Sequence, residues 1–202
     1  MTTRDPAVQT FLSSVRHALA PHGLGPDGSA AIERIYGALA APGHPGSGRS
    51  QRLPVCGDRL PEAYETARQH SPAIARIVDA FAVIEPALFW APRSASGPHA
   101  SANWPEGHAN AMMVGPGGLE SRGDVHIGVS LLAPHVRYPD HNHGPEEIYL
   151  VLSPGRFQQS ESGWFEPGVG GTLHNEPNVR HAMASDEAPL FALWFLWTGK
   201  VM

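Results

Sequence analysis

Charge is scarce in this sequence: only 16% of its 202 residues are Asp, Glu, Lys or Arg, the formal net charge is −5, and no dense block of Lys or Arg occurs. Such a chain lacks the electrostatic footprint by which proteins hold phosphate backbones, which excludes nucleic acid as an expected partner. Cysteine is nearly absent as well. Cys56 stands alone, so no intramolecular disulfide framework can form, and within "RLPVCGDRL" it has no neighbouring base and reads as a loop or core thiol. Long apolar runs are also missing. The longest, "PLFALWFLW", falls far short of the roughly 20 residues a membrane helix needs, and the opening "MTTRDPAVQT" lacks a basic-then-apolar signal. A soluble, cytoplasmic protein with no membrane partner is expected.

Proline (20) and glycine (22) are plentiful, which implies many turns and few long helices, and hence a β-rich fold. The length suits one ordinary domain or a small domain with an extension, large enough to enclose a site. Helical spacing is confined to the first part of the chain. Val8, Phe11, Leu12, Val15 and Leu19 predict an amphipathic helix over residues 7–20 that Pro21 stops. Ile32, Ile35, Tyr36 and Leu39 predict a second helix starting after Ser29, followed by a connector loop, "APGHPGSG". Ser71 and Pro72 make an N-cap and first-turn pair ahead of the stripe Ile74, Ile77, Val78, Phe81.

After Glu85 the pattern changes to short apolar runs between turn signals: "ALFW", "VHIGVSLL", "EIYLVL", "GRFQQ", "GWFEPG", "GTLH" and "PLFALWFLW". These read as strands of a sandwich or small barrel, with the helices covering an edge or packing outside. Residues 92–118 read as a long irregular loop of the kind that often carries function. The expected organisation is an N-terminal helical extension over residues 1–84 and a β-barrel over residues 85–202.

In this charge-poor chain, residues 138–152, "YPDHNHGPEEIYLVL", crowd together two histidines, three acidic residues and two tyrosines. Residues two apart in an extended segment share a side, so His141 pairs with His143 and Glu147 with Tyr149. Two imidazoles and a carboxylate suit a divalent transition metal (Zn, Fe, Mn, Ni or Co), and His181, ahead of the last apolar strand, is the best distant fourth ligand. Three histidines and one glutamate leave a coordination position free, as catalysis needs. His17, His22, His44, His70, His99, His108 and His174 read as ordinary packed or surface residues, and Asp140 and Glu146 as solvated rim charges.

"HNHGPEE" carries the His-x-His-x₃-Glu signature of the cupins, and residues 171–181 look like their second motif. His135 replaces the first motif's leading glycine, Val179 replaces a glycine of the second, and His181 comes one residue early after Pro177. With Tyr138, Tyr149, the helical N-terminal third and the Trp-rich "FALWFLW", the chain resembles the cupin-type dimethylsulfoniopropionate lyases, the Q-type most closely. The resemblance implies a mainly β cupin (double-stranded β-helix) barrel with an N-terminal α-helical extension. It implies one divalent metal held by His143, Glu147 and His181, with His141 as a further ligand. It also implies Tyr149 as general base and Tyr138 as a second residue facing the substrate, a small zwitterionic sulfonium that is split into dimethyl sulfide and acrylate by β-elimination. Tyr138, Trp194 and Trp197 are the candidate aromatic partners of the sulfonium cation, although the tryptophans also read in part as core. The ligand set alone equally admits a dioxygenase, a sugar isomerase or a non-catalytic ligand-binding cupin; the two tyrosines favour the lyase. Monomer and homodimer are both open.

Overall fold

The computed structural model describes residues 3–19, 24–46, 48–93 and 97–199. The expected stop at Pro21 and the neighbouring His22 lie outside the described residues. Four helices come first: α1 (Pro6–Leu19), α2 (Gly25–Leu39), α3 (Pro54–His70) and α4 (Pro72–Ile84), with the two-residue strand β1 (His44–Pro45) in the connector between α2 and α3. The stripes on α1, α2 and α4 are buried as their spacing implies. Helix α2 begins earlier than expected, at Gly25, because Pro26 is pre-set for a first turn and Asp27 complements the helix N-terminus. The Ser71 hydroxyl caps α4 by accepting from the Ile74 N–H at 3.3 Å. Helix α3 was not anticipated. Gly57 and Pro61 interrupt its sequence, and its buried face is made largely of small residues, Cys56, Ala63 and Ala67 beside Val55 and Leu60. Cys56 is fully buried there, and burial pushes its thiol up to about 11. Among the described residues, no helix is long and apolar enough to cross a membrane.

The strands follow as β2 (Trp90–Ala91), β3 (His108–Val114), β4 (Glu120–Ser121), β5 (Val125–Leu132), β6 (Glu146–Val151), β7 (Arg156–Gln159), β8 (Thr172–Asn175), β9 (His181–Ala184) and β10 (Leu190–Trp197). They form one sheet in the order β1-β4-β3-β5-β10-β6-β8, with β2 beside β3, and a second sheet of β7 and β9. The segment read as one long loop contains a one-turn helix, α5 (Trp104–Gly107), and β3, which lies inside the large sheet. "HANAMMV" conceals a strand because its buried positions include Ala109 and Ala111, whose place is set by pairing with β5 more than by propensity.

The two faces of the large sheet bury different things. Ile148, Leu150, Phe191, Leu193 and Phe195 pack with Phe11, Ile77 and Phe81 of the helices. Tyr149, Val151, Leu173 and Ala192 point the other way, toward Phe157 and Met183 of the small sheet, and enclose the space in which the site lies. The period of two decides the tryptophans: Trp194 faces inward, whereas Trp197, three residues on, faces the helices with the Arg34 guanidinium 5.8 Å from its ring.

A buried ionic cluster ties the chain start to the sheet. Arg4 Nε donates to Glu120 Oε2 at 2.5 Å, Arg122 donates to the same carboxylate at 3.3 Å and to Asp124 at 2.7 Å, and the Arg4, Glu120 and Arg122 side chains are at most 10% exposed. Burial acts to raise the Glu120 carboxyl, but the two arginines and the Gly43 N–H outweigh it and hold the group below its ordinary value. Glu120→Ala would leave the buried Arg4 guanidinium without a carboxylate while Arg122 keeps Asp124, so urea denaturation should show a loss of about 3–5 kcal/mol. Because the folded value is depressed, this contribution is fully present above the ordinary carboxyl value of 4.5 and disappears as pH falls through the lower folded value. The variant's deficit should therefore shrink in acid.

Candidate metal centre

Three segments converge on one point. His141 and His181 form an isolated bridge in which each N–H donates to the other's carbonyl, at 3.0 and 2.9 Å, so the segment ahead of β6 is clamped to the start of β9. A third main-chain bond, from Asn178 N to the His143 carbonyl at 2.9 Å, secures the turn that carries His143. Glu147 enters from β6. The ligand atoms of His141, His143 and His181 all lie within 4.8 Å of one another, and Glu147 Oε2 lies 3.1 Å from His181 Nε2 and 3.4 Å from His143 Nε2.

The hydrogen-bonding pattern suits a cation. The Nδ1–H of His141 donates to the Pro139 carbonyl at 2.9 Å, that of His143 to the Pro145 carbonyl at 2.8 Å, and that of His181 to the Val179 carbonyl at 3.0 Å. These bonds set one tautomer and leave each Nε2 as a lone pair turned inward. The Nε2 atoms of His143 and His181 are buried with no hydrogen-bond partner, and both face a carboxylate oxygen, itself an acceptor. Acceptors facing acceptors in a buried space are unfavourable unless a positive charge sits between them. Neutral imidazoles and a carboxylate with one free position are a fitting donor set for a divalent transition ion.

Electrostatics point the same way. Burial, reinforced by His181, pulls His141 down to about 3, which keeps that ring neutral. Burial opposes the charge on Glu147, yet His143 and His181 prevail and bring it down to about 2. His143 is lowered by burial and raised more strongly by Glu147, for a net rise. Asn175 Nδ2 donates to Glu147 Oε2 at 3.0 Å and is itself held by Gln159 at 2.6 Å, which orients the carboxylate.

A pocket of about 240 Å³ opens on the cluster. Tyr138, His141, His143, Glu147, Tyr149 and Trp194 all line it; His181 does not, though its ring lies 6.4 Å from that of Tyr149, and neither does Trp197. Trp194 is admitted by a missing side chain: its indole lies across Gly128, where a Cβ would stand 2.0 Å from the ring. Arg93, Asn110, Ser130, Asn142, Met183 and Leu196 also line the pocket and escaped the sequence reading. Asn110 and Ser130 carry a hydrogen-bond relay from the Ser130 hydroxyl to Asn110 Oδ1 at 2.6 Å and from Asn110 Nδ2 to the Tyr138 hydroxyl at 3.1 Å. Their signal was present but faint, as polar residues at inward positions of otherwise apolar strands. Two expected rim charges are not free in solvent. Asp140 is largely buried and takes Arg137 at 2.8 Å and His99 at 3.1 Å, and Glu146 takes Arg34 at 2.7 Å and His174 at 3.2 Å.

Residues 27–192 match the family model described as dimethylsulfoniopropionate (DMSP) lyase. One chain among the crystal structures of the DMSP lyases RdDddP and RnDddQII is similar at a TM-score of 0.70 and 19% identity, over 96% of this chain and 93% of that one. The DMSP lyase DddQ from Ruegeria pomeroyi DSS-3 is similar at a TM-score of 0.69 and 21% identity, over 96% and 92%. At these identities the likeness establishes the fold, a cupin barrel with helices at its N-terminus. A cupin 2 conserved barrel domain protein from Rhodopseudomonas palustris is more distant, at a TM-score of 0.44 and 8% identity over 57% of this chain and 74% of that one. No curated protein matches the sequence significantly.

Elemental analysis should find close to one divalent transition ion per chain, and His143→Ala, Glu147→Ala and His181→Ala should each abolish its retention through gel filtration while circular dichroism stays unchanged. Asn175→Ala keeps every ligand atom but frees the carboxylate to rotate, so metal affinity should fall on the order of 10–100-fold in a chelator competition. Retention of full metal content by His181→Ala would remove the site.

Proposed function

The chain belongs to the dimethylsulfoniopropionate lyase family, and on that basis we propose that it cleaves dimethylsulfoniopropionate to dimethyl sulfide and acrylate by metal-assisted β-elimination, with Tyr149 as the general base. The observation that carries this reading is the position of Tyr149 on the same strand face as Glu147, its ring 6.4 Å from that of His181, in a pocket large enough for a small zwitterion. His141, His143, Glu147 and His181 would hold the ion. Bound there, it supplies Lewis acidity toward the substrate carboxylate and a positive charge that favours an ionised phenol.

The protein's own residues account for the rest. Burial, then the Glu147 charge, then Tyr138 push the Tyr149 hydroxyl well above its ordinary value, so this phenol would ionise to the proton-accepting phenolate only beside a compensating cation. That coupling restricts the base to the loaded enzyme. Tyr149 pairs across the ladder with Trp194 on β10, which puts the proposed base next to the indole. The sulfonium would rest on that aromatic face. Tyr149 takes the proton from the carbon beside the carboxylate, those electrons form the new carbon–carbon double bond, and the carbon–sulfur pair leaves with sulfur as neutral dimethyl sulfide. The reaction is redox-neutral. Tyr138, tethered by Asn110 and held above its ordinary value by burial, contributes a hydroxyl to place the substrate.

Metal-loaded protein supplied with dimethylsulfoniopropionate should release dimethyl sulfide and acrylate in equal amounts without consuming oxygen. Tyr149→Phe should retain the metal and lower kcat by a factor of order 10²–10⁴, and Tyr138→Phe should lower it less. The roles of the two tyrosines would be reversed if Tyr138→Phe were the inactive variant. Absence of dimethyl sulfide with every metal tried would leave a metal cupin of other chemistry.

A further inference from the structure

Among the described residues that line the pocket, Arg93 is the only arginine or lysine, and it forms no ion pair with a carboxylate among those residues. The acidic groups nearby are committed elsewhere, Glu147 to His143, His181 and Asn175, and Asp140 to Arg137 and His99. The guanidinium carbon lies 5.7 Å from the centre of the Tyr138 ring.

The main chain that carries Arg93 is held firmly. Its N–H donates to His108 Nε2 at 2.8 Å, and His108 Nδ1–H donates to the Trp104 carbonyl at 2.5 Å, so both ring nitrogens of this histidine are used. The His108 ring stacks on Trp104 at 4.3 Å and 7°, and both rings stand edge-on to Tyr138. Burial holds His108 below its ordinary value, in keeping with the neutral form that accepts from Arg93. An arginine on so fixed a base, with its fork turned into a pocket and no acid to meet it, matches a carboxylate ligand in charge and geometry.

We propose that Arg93 binds the substrate carboxylate and so sets which end of the zwitterion enters which end of the pocket. The strand register gives the direction. Ala91 pairs with Asn110, which leaves Arg93 near the level of His108, whereas Trp194 pairs with Gly128, which pairs with Met112. Those levels are roughly 13 Å apart along the sheet, with Asn110 and Ser130 between them. A guanidinium at one end attracts the carboxylate and repels the sulfonium, which is left for the indole at the other. One carboxylate oxygen facing Arg93 would also place a fixed positive charge where the enediolate charge develops.

That the ligand is this particular sulfonium rests on the lyase reading; that it is a carboxylate does not. The test is calorimetric titration of the metal-loaded protein with acrylate, and separately with choline, a cation lacking a carboxylate. Arg93→Gln should weaken acrylate binding about tenfold or more and leave choline binding unchanged or tighter, and Arg93→Lys should restore part of the loss. KM for dimethylsulfoniopropionate should rise more than kcat falls. Acrylate affinity within twofold of the unmutated protein, or equal weakening of acrylate and choline, would overturn the assignment. If the unmutated protein binds acrylate through Arg93 yet releases no dimethyl sulfide, the carboxylate site stands and the lyase reading falls.

Discussion

The exchange of main-chain hydrogen bonds between His141 and His181 joins two segments forty residues apart at the one place where their imidazoles can share a ligand. Everything else in the site is hung from it. The rings lie 4.1 Å apart between centroids, each oriented by its own backbone carbonyl, and Glu147 approaches from β6 because its strand starts five residues after His141. A one-residue slip at this bridge would turn one imidazole to the opposite face and disperse the cluster. Beyond the bridge, Arg137 pairs with Ala184, so the small sheet and the motif segment close over the inner face of the large one together.

The same inward face bears an electrostatic burden that the outer face offsets. Two buried imidazole nitrogens without partners, beside a buried carboxylate, disfavour folding in the absence of a cation. Stability must come from elsewhere. The helices cover the outer face with a continuous apolar cluster in which Tyr64, Phe81, Trp90 and Phe191 meet edge to face and Phe11 meets Phe81 at a tilt, with ring centroids 5.3–6.4 Å apart. The Arg4–Glu120–Arg122 cluster fastens the start of the chain to the far edge of that sheet. Among the described residues, the N-terminal helices thus bear on the site without contributing one to its pocket.

How much of this could be read from the sequence follows from the range of each signal. His141, His143 and Glu147 were legible because their spacing is local, and His181 because it opens a strand. The conformational departures from the cupin motif were visible as letters but not as shapes. His135 sits at φ 60° where the motif has glycine, and Asn178 takes φ 63° next to Val179, so the left-handed backbone is kept by residues other than glycine; asparagine tolerates that region with little strain. Helix α3 and strand β3 were missed because small residues fill their buried faces and their places are set by neighbours far away in the chain. Arg93 was invisible for a related reason: nothing within a few residues marks it, and only pairing of β2 with β3 brings it to His108 and the pocket.

Trp194 shows how a sheet can build a pocket by omission. Along the rung that crosses β5, β10 and β6, the inward residues are Gly128, Trp194 and Tyr149. Any side chain at Gly128 would meet the indole at once, so the glycine is what leaves room for the ring over β5. An aromatic face attracts a soft cation, because the negative lobe of the ring quadrupole lies above and below its plane. Gly128 therefore makes room for the indole at one end of the pocket, and Tyr149, its partner across the ladder, stands beside that end, so one missing side chain on β5 sets which aromatic groups meet on β10 and β6.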